Sequence, residues 1–224
     1  MKPRVLHRRR RLALPACLAA LALLVVATAV FGQEVKDLIV GPATAYNPIH
    51  DHAPSALEES QFRRVYDALC DASCGPIKLT RNITVPTAAM VVQLRGARLI
   101  YSPTFMDTIM KIYGPSAPLG VFAHELGHLL DFRRGNVGWM HNSWDRELRA
   151  DSWAGCALAK LNMPQRDTSG VLQALAQSPT HSHPDWTKRV EALKKGYAQC
   201  GGQPHILDTL PLEQYGQTSA SPNQ

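Results

Sequence analysis

The residues most clearly suited to chemistry are His124, Glu125 and His128, which form a His-Glu-x-x-His pattern. Side chains four positions apart share one face of a helix, so the two histidines can bind one metal ion from the same side. Imidazole nitrogen suits Zn²⁺, which catalytic sites hold with three protein ligands and an open position for water. Glu125 is turned by about 100° from His124 around a helix. We therefore expect it to border a zinc ion and to act as general base toward a zinc-bound water.

The surrounding sequence favours a functional pattern over a coincidence. The stretch from Leu119 to Phe132 predicts a helix, with Gly135 shortly after its end. Its other faces carry apolar side chains that predict burial, at Val121, Phe122, Leu126, Leu129 and Leu130. A buried helix is a rigid support, which is the context in which this pattern indicates a metal site.

A third ligand is needed, and the sequence offers two candidates. His141 lies in a loop rich in Gly, Asn and Trp, with nothing nearby to orient it. Glu147 is favoured because it lies near the start of another predicted helix, which can turn back alongside the first. Asp151 follows one turn later and can accept a hydrogen bond from the spare ring N–H of a ligating histidine. The alternative is that both carboxylates form a solvated edge, paired with Arg146 and Arg149.

The segments His124-Glu-Leu-Gly-His128 and Glu147-Leu-Arg-Ala-Asp151 together resemble the gluzincin zinc peptidases. Within these, the chain is most similar to the membrane-linked group that includes HtpX and the CAAX-prenyl proteases. That group commonly has a His-Pro and, six residues after the His, an Arg that opens a helix. The matching residues here are His183, Pro184 and Arg189, so the resemblance covers roughly residues 97–199.

The resemblance implies a mainly helical, zincin-like α+β domain that hydrolyses peptide bonds. The zinc ligands would be His124, His128 and Glu147. Glu125 would be the general base, and Asp151 would contact a zinc ligand without binding the metal itself. The edge strand of the family, against which extended substrate lies, would match Ala97 to Tyr101. Members of the membrane-linked group have several membrane-spanning segments, whereas this chain has at most one, so prenylated substrates are not implied.

His183 and Arg189 are further candidate catalytic residues. Attack of water on a peptide carbonyl builds negative charge on its oxygen, which positioned donors stabilise. Pro184 holds the backbone of His183 extended, so the side chain of His183 can point into a cleft. Arg189 can brace His183 or contact substrate itself. The alternative is that His183 only caps the last helix and Arg189 pairs with Asp185.

The N-terminus predicts an export signal or a membrane anchor. Six of the 24 Lys and Arg residues, and none of the 18 Asp and Glu residues, lie in residues 1–32. The remainder therefore has 18 residues of each sign, and its lack of net charge argues against a nucleic-acid partner. Basic residues 2–11 precede an uncharged apolar run, residues 12–31. If cleaved, residues 1–32 are a signal peptide; if they are retained, the apolar run is long enough to anchor the chain in a membrane.

In either case we expect the rest of the chain outside the cytoplasm. The leader is typical of bacteria, so the protein would be periplasmic, anchored in the inner membrane and facing the periplasm, or secreted. Four cysteines follow the leader, and an even number in an exported chain predicts two disulfides. Of the three connectivities we favour Cys70–Cys74 with Cys156–Cys200, which would close a helix end and join two predicted helices. The alternative is four reduced, buried thiols.

The remaining patterns predict an α+β domain, mainly helical with a small sheet, over residues 55–200. An extended segment would precede it at residues 33–54, and a flexible tail would follow at residues 201–224. Ser55-x-x-Glu58 has the form of a capping box that opens a helix ending near Cys70. Predicted strands are Ile77–Leu79, Met90–Leu94 and Ala97–Tyr101, the last two joined by an Arg95-Gly96 turn. Further helices are predicted at Pro103–Tyr113, Leu119–Phe132, Asp145–Leu161, Gly170–Ala176 and Pro184–Ala198.

Other features have competing interpretations. The cluster His50-Asp51-His52 can cap the zinc of a latent form or lie in a solvated loop. Asp131 can support a metal-binding histidine or cap the end of its helix. Trp139 can line the cleft or belong to the core. Asn82-Ile-Thr84 is a glycosylation sequon only in a host that glycosylates.

The sequence therefore predicts an exported zinc-dependent endopeptidase that acts on peptides or unfolded proteins. A second hypothesis is a non-catalytic, zinc-binding envelope assembly or chaperone-like factor, which the intact Glu125 argues against. A third is a structural lipid-surface protein anchored by residues 12–31, which the metal motif argues against.

Overall fold

The computed structural model describes residues 46–71, 74–93, 96–135, 143–176, 184–203 and 205–208. The strands are β1 (Asp51–His52), β2 (Ile77–Asn82), β3 (Ala88–Gln93) and β4 (Gly96–Tyr101). The helices are α1 (Ala56–Leu69), α2 (Pro103–Tyr113), α3 (Ala117–Arg133), α4 (Ser143–Leu161), α5 (Gln165–Ala176), α6 (Trp186–Gln199) and α7 (His205–Asp208). The predicted α+β class, with a small sheet and mainly helical structure, is confirmed.

The four described strands form one mixed sheet in the order β1-β2-β4-β3. Strand β4 pairs in parallel with β2 and antiparallel with β3. The predicted antiparallel pairing of the last two strands is therefore present, although β3 begins at Ala88 rather than at Met90. Gly96, which was expected in the turn, is the first residue of β4, and residues 94 and 95 are outside the described residues. β4 lies inside the sheet, while β3 forms one of its edges.

The helix with the His-Glu-x-x-His pattern, α3, is central to the fold. Every residue from Ala117 to Asp131 is buried, so these turns of the helix have no solvent-facing stripe. It packs against α1, α2, α4 and α5 and against strands β3 and β4. The side chains at the motif therefore lie in a packed interior, which restricts their rotamers.

Helices α4 and α6 approach each other until their backbones touch. A Cβ atom built on Gly196 would lie 1.7 Å from the carbonyl oxygen of Ser152, and one on Gly155 would lie 2.0 Å from that of Leu193. No side chain fits at either position. Glycine is required here because of this close approach, and α4 and α6 are consequently held in one register.

Both predicted disulfides are present. Cys70–Cys74 lies at the end of α1, with its Cα atoms 5.5 Å apart. Cys156–Cys200 joins α4 to the end of α6, with its Cα atoms 5.1 Å apart. The favoured connectivity is the one in the structure, and two disulfides fit the oxidising environment of an exported protein.

The ends of the domain contain more structure than the sequence predicted. The capping box of Ser55 and Glu58 is present, with both reciprocal hydrogen bonds. The segment expected to be extended also contains a 3-10 helix at Pro48–His50 and the strand β1, which pairs with β2. The expected tail contains α7, in which Leu207 is buried. Helix α5 begins at Gln165, directly after Pro164, and not at Gly170.

The predicted leader, residues 1–32, lies outside the described residues. None of the described helices combines the length and the apolar character that crossing a bilayer requires.

Candidate metal centre

Two histidine rings meet on one face of α3. The Nε2 atoms of His124 and His128 lie 3.1 Å apart. The ring centroids are 4.7 Å apart, and the ring planes are nearly perpendicular, at 89°. Both side chains are buried. Two imidazole nitrogens that face each other at this distance can share one metal ion between them.

Glu147 completes a group of three potential ligands from the neighbouring helix α4. Its Oε2 atom lies 3.1 Å from Nε2 of His124 and 3.7 Å from Nε2 of His128. Gly127 allows α4 to come this close, because a Cβ atom at this position would lie 2.9 Å from the Cα atom of Ala150. The glycine directly before His128 thus allows the helix that carries the third ligand to approach closely.

The three donor groups fit a tetrahedral zinc site. Ligand atoms that each lie about 2.0–2.2 Å from a tetrahedral metal are about 3.3 Å from one another. The three separations here are 3.1, 3.1 and 3.7 Å. Two imidazoles and one carboxylate are also a ligand set of catalytic zinc sites, which keep a fourth position open. Within the described ranges, no other group of His, Cys, Asp and Glu side chains has metal-binding spacing.

The charges around His124 favour a cation. Burial lowers the pKa of His124, but hydrogen bonds to Asp151 and Glu147, together with the charges of these carboxylates, outweigh burial and raise that pKa to about 10. Two carboxylates therefore stabilise positive charge at this position, as they would the charge of a metal ion. Burial lowers the pKa of His128, so its ring favours the neutral form that has a lone pair for a metal.

Glu125 borders this group without belonging to it. Its side chain is buried, and among the described residues its Oε2 atom has no hydrogen-bond partner. The backbone of Met90 lies close enough to the carboxylate to lower its pKa. Burial raises the pKa of Glu125 to about 7; the charge of His124 opposes this effect and that of Glu147 adds to it. A carboxylate with a pKa near neutrality can both accept and return a proton.

The strand beside Glu125 is β3, which corrects one prediction. Ala97 to Tyr101 was expected to be the substrate-binding edge strand, but β4 has neighbours on both sides, β2 and β3. β3 has a described neighbour on one side only, packs against α3 and contacts Glu125 through Met90. The sheet edge next to the candidate site is therefore Ala88–Gln93.

Asp151 connects the ligand group to a third helix. Its Oδ1 atom lies 2.9 Å from Nδ1 of His124. Arg189, on α6, donates from Nε to Oδ2 and from Nη2 to Oδ1 of Asp151, each at 2.8 Å. Burial alone would raise the pKa of Asp151, but the charge and hydrogen bonds of Arg189, together with those of His124, lower it. The carboxylate is therefore held as an anion between a guanidinium and an imidazole.

These contacts decide between the alternatives for the acidic residues. Glu147 and Asp151 are both buried, so they do not form a solvated edge. Arg189 is buried as well and pairs with Asp151, not with Asp185. The side chain of Asp185 caps α6 and forms an ion pair with Lys188.

His183, His141 and Trp139 are outside the described residues. Asp131 accepts a hydrogen bond from Nε of Arg149 at 2.6 Å and so links α3 to α4.

The His50-Asp51-His52 cluster belongs to the sheet edge and not to the metal-binding group. Asp51 accepts hydrogen bonds from Tyr46, Asn82 and Arg98. Asn82 is buried and donates its amide both to Asp51 and to the carbonyl of Asn47. The sequon asparagine is therefore occupied in structural hydrogen bonds.

Sequence reasoning missed the partner of Arg189 and the role of Gly127. A basic side chain on the buried face of a helix requires an acidic partner, and this signal was available in the sequence. The partner, Asp151, is 38 residues away, so local patterns could not identify it. A glycine inside an apolar helix signals close backbone approach, and Gly127 fits that rule.

Comparisons of the chain with protein-family models, with curated proteins and with solved structures found no match. The likeness to gluzincins therefore rests on the three sequence segments quoted above. The structure adds a buried group of two histidines and one glutamate that could hold a metal ion.

Proposed function

We propose that the protein is an exported zinc-dependent endopeptidase that hydrolyses peptide bonds in peptides or unfolded proteins. The observation that carries this proposal is the position of Glu125 beside three potential metal ligands. Its carboxylate is buried, and among the described residues one of its oxygens has no hydrogen-bond partner. A structural zinc site is closed by four protein ligands and needs no such carboxylate, whereas a hydrolytic site needs a base next to an open position.

His124, His128 and Glu147 would hold the metal, and Asp151 would orient His124. Zinc, when bound, supplies a Lewis acid that lowers the pKa of a water molecule and polarises a carbonyl group. Glu125 takes a proton from the attacking water as the water oxygen bonds to the carbonyl carbon. The C–N bond then breaks, and Glu125 returns the proton to the leaving amine. A pKa of about 7 suits Glu125 to both transfers.

The edge of β3 suits an extended substrate. An extended peptide can add to an exposed sheet edge through backbone hydrogen bonds, with side-chain pockets providing specificity. Because β3 contacts Glu125 through Met90, a peptide on this edge would pass close to the general base. Unfolded chains offer extended segments and folded domains seldom do, which favours unfolded proteins as substrates.

The two disulfides support export. Residues 12–31 would then act as a signal peptide or as an anchor that keeps the domain at the membrane. Either form places the active site in an oxidising compartment.

The test is hydrolysis of an unfolded protein by the purified, oxidised chain, with zinc measured in the same sample. We expect one Zn²⁺ per chain, loss of activity with a chelator and recovery when zinc is restored. Glu125→Gln keeps the size of the side chain but removes the base. Zinc content should therefore be retained while turnover falls by about 10²–10⁴-fold. Glu59→Gln is the matched control, because Glu59 is half exposed on α1 and pairs with Arg63.

The same samples distinguish the rival interpretations. A zinc-loaded wild-type chain that hydrolyses nothing would favour a non-catalytic zinc-binding factor. Near-normal turnover in zinc-loaded Glu125→Gln would refute the proposed mechanism. Full zinc content in Glu147→Ala would exclude Glu147 as the third ligand.

A further inference from the structure

We propose that Arg189 is a positioning residue of the metal site, which acts through Asp151 to hold His124 in the orientation and tautomer that bind a metal. The inference rests on the metal-binding part of the proposed function and is independent of peptide hydrolysis.

The first step is the direction of the hydrogen bonds. An arginine side chain can only donate, and Arg189 donates to both oxygens of Asp151. Oδ1 is shared, because it also lies 2.9 Å from Nδ1 of His124. With both carboxylate oxygens acting as acceptors, Nδ1 of His124 must be the donor. A neutral His124 then has its lone pair on Nε2, the atom that faces Glu147 and His128.

The second step is the rigidity of the arginine. Nη1 of Arg189 donates to the carbonyl oxygen of Leu175 on α5, so all three kinds of guanidinium nitrogen are engaged. The backbone contact of Gly196 with Ser152 keeps α6 in one register with α4. The guanidinium is therefore fixed relative to the helix that carries Asp151, and Asp151 cannot rotate without losing two charge-assisted bonds.

The third step is the requirement for this particular side chain. The planar guanidinium matches a carboxylate with two parallel N–H donors, whereas the ammonium of lysine is a single point charge. Lysine would retain the charge opposite Asp151 but would not fix the plane of its carboxylate. The proposal therefore assigns a role to the geometry of Arg189 as well as to its charge.

The experiment measures zinc affinity by competition with a chromophoric chelator, using the oxidised full chain. Arg189→Met removes the charge and the donors. We expect it to weaken zinc binding by about 10–100-fold, the usual effect of removing a group that supports a metal ligand. Arg189→Lys should lose less zinc affinity than Arg189→Met.

The matched control is Arg98→Met, which breaks an arginine–aspartate pair at the sheet edge and should change zinc affinity less than twofold. The absorption spectrum of the Co²⁺-loaded chain provides a second readout, and it should change in both Arg189 variants but not in the control.

A double variant tests whether Arg189 acts through Asp151. Asp151→Asn alone should weaken zinc binding, and adding Arg189→Met to it should cause no further loss of zinc affinity. Independent, additive losses would overturn the proposal. It would also be overturned if folded Arg189→Met and Arg189→Lys both bound zinc as tightly as wild type. Circular dichroism and melting temperature establish folding, and Arg189→Lys decides the matter if the Met variant does not fold.

Activity separates this proposal from the one on which it depends. If Arg189 only positions a ligand, excess zinc should restore most of the lost turnover in Arg189→Met. Turnover that stays low at full zinc occupancy would mean that Arg189 acts on substrate, and the positioning role would be rejected. A wild-type chain that binds no zinc would refute the metal site itself. Wild-type zinc binding without hydrolysis would refute only the peptidase proposal.

Discussion

Two arginine–aspartate pairs in different regions of the molecule show how its polar groups are used. Arg189 and Asp151, between α6 and α4, have side chains that are 4% and 0% exposed. Arg98 and Asp51, at the sheet edge, are 25% and 19% exposed. Both pairs are close, at 2.8 and 3.0 Å between charged atoms. They differ in solvent access and in the groups to which each aspartate is connected.

The sheet-edge pair performs a structural task. Asp51 accepts hydrogen bonds from Tyr46, Asn82 and Arg98, and these bonds join the first described residues to β2 and β4. The helical pair is connected to His124 instead. Desolvation of a buried ion pair largely offsets its Coulomb attraction, so such a pair is a weak source of stability. The position of the Arg189–Asp151 pair next to a potential metal ligand is better explained by a role in the candidate metal site than by a contribution to the stability of the fold.

The largest expected effect comes from removing the negative charge of each pair in turn. Asp151→Asn leaves the buried charge of Arg189 without its partner, which should lower the free energy of unfolding by about 3–5 kcal/mol. Asp51→Asn leaves Arg98 in partial contact with water and should lower it by about 1 kcal/mol or less. Urea unfolding with chelator present measures both without a contribution from bound metal. Equal losses would show that the two regions do not differ as their burial suggests.

Much of the site could be predicted because its main signals are local. The pattern His124 to His128 combines a fixed spacing with an apolar helix, and the observed helix α3 contains it. The capping box at Ser55 likewise depends on residues three positions apart and is present. Local hydrogen-bonding rules and helix periodicity are sufficient for such features.

The features that could not be predicted depend on long-range pairing. β1 is only two residues long and exists because Asp51 and His52 pair with the distant strand β2. The place of β4 inside the sheet follows from its parallel pairing with β2, which no property of residues 97–101 reveals. Arg189 was expected to brace His183, to contact substrate or to pair with Asp185. Its observed partner, Asp151, lies on another helix, and His183 is outside the described residues.

The two disulfides allow a second comparison, with smaller effects. Cys156–Cys200 spans 44 residues and joins the helices that carry Asp151 and Arg189, whereas Cys70–Cys74 spans four. In the chain-entropy model, the loss of stability on replacing both cysteines by serine is about 4 kcal/mol for the longer loop and about 2 kcal/mol for the shorter. Thermal unfolding in the presence of chelator should show this order.

Zinc affinity provides a second measurement that distinguishes the two disulfides. Replacement of Cys156 and Cys200 by serine should weaken zinc binding, because α6 is then held to α4 only by packing and by the Arg189–Asp151 pair. Replacement of Cys70 and Cys74 should leave zinc affinity within about twofold of wild type, since that disulfide joins no element that carries a metal ligand. The reverse order would mean that the end of α1, and not the α4–α6 pair, controls the site.

The smallest expected effects come from adding one methyl group to each region. Gly196→Ala would place a Cβ atom against the Ser152 carbonyl, and the helices must separate to accommodate it. Such overpacking usually costs about 1–3 kcal/mol, and the shift of α6 should also displace Arg189 and weaken zinc binding.

Gly75, before β2, has a φ of +64° and open space around its Cβ position. Gly75→Ala should therefore cost about 1 kcal/mol through backbone strain alone. Its zinc affinity should equal that of wild type, so both variants should be less stable than wild type but only Gly196→Ala should bind zinc more weakly. Unchanged zinc affinity in a destabilised Gly196→Ala would show that the α4–α6 contact supports the fold without positioning the site.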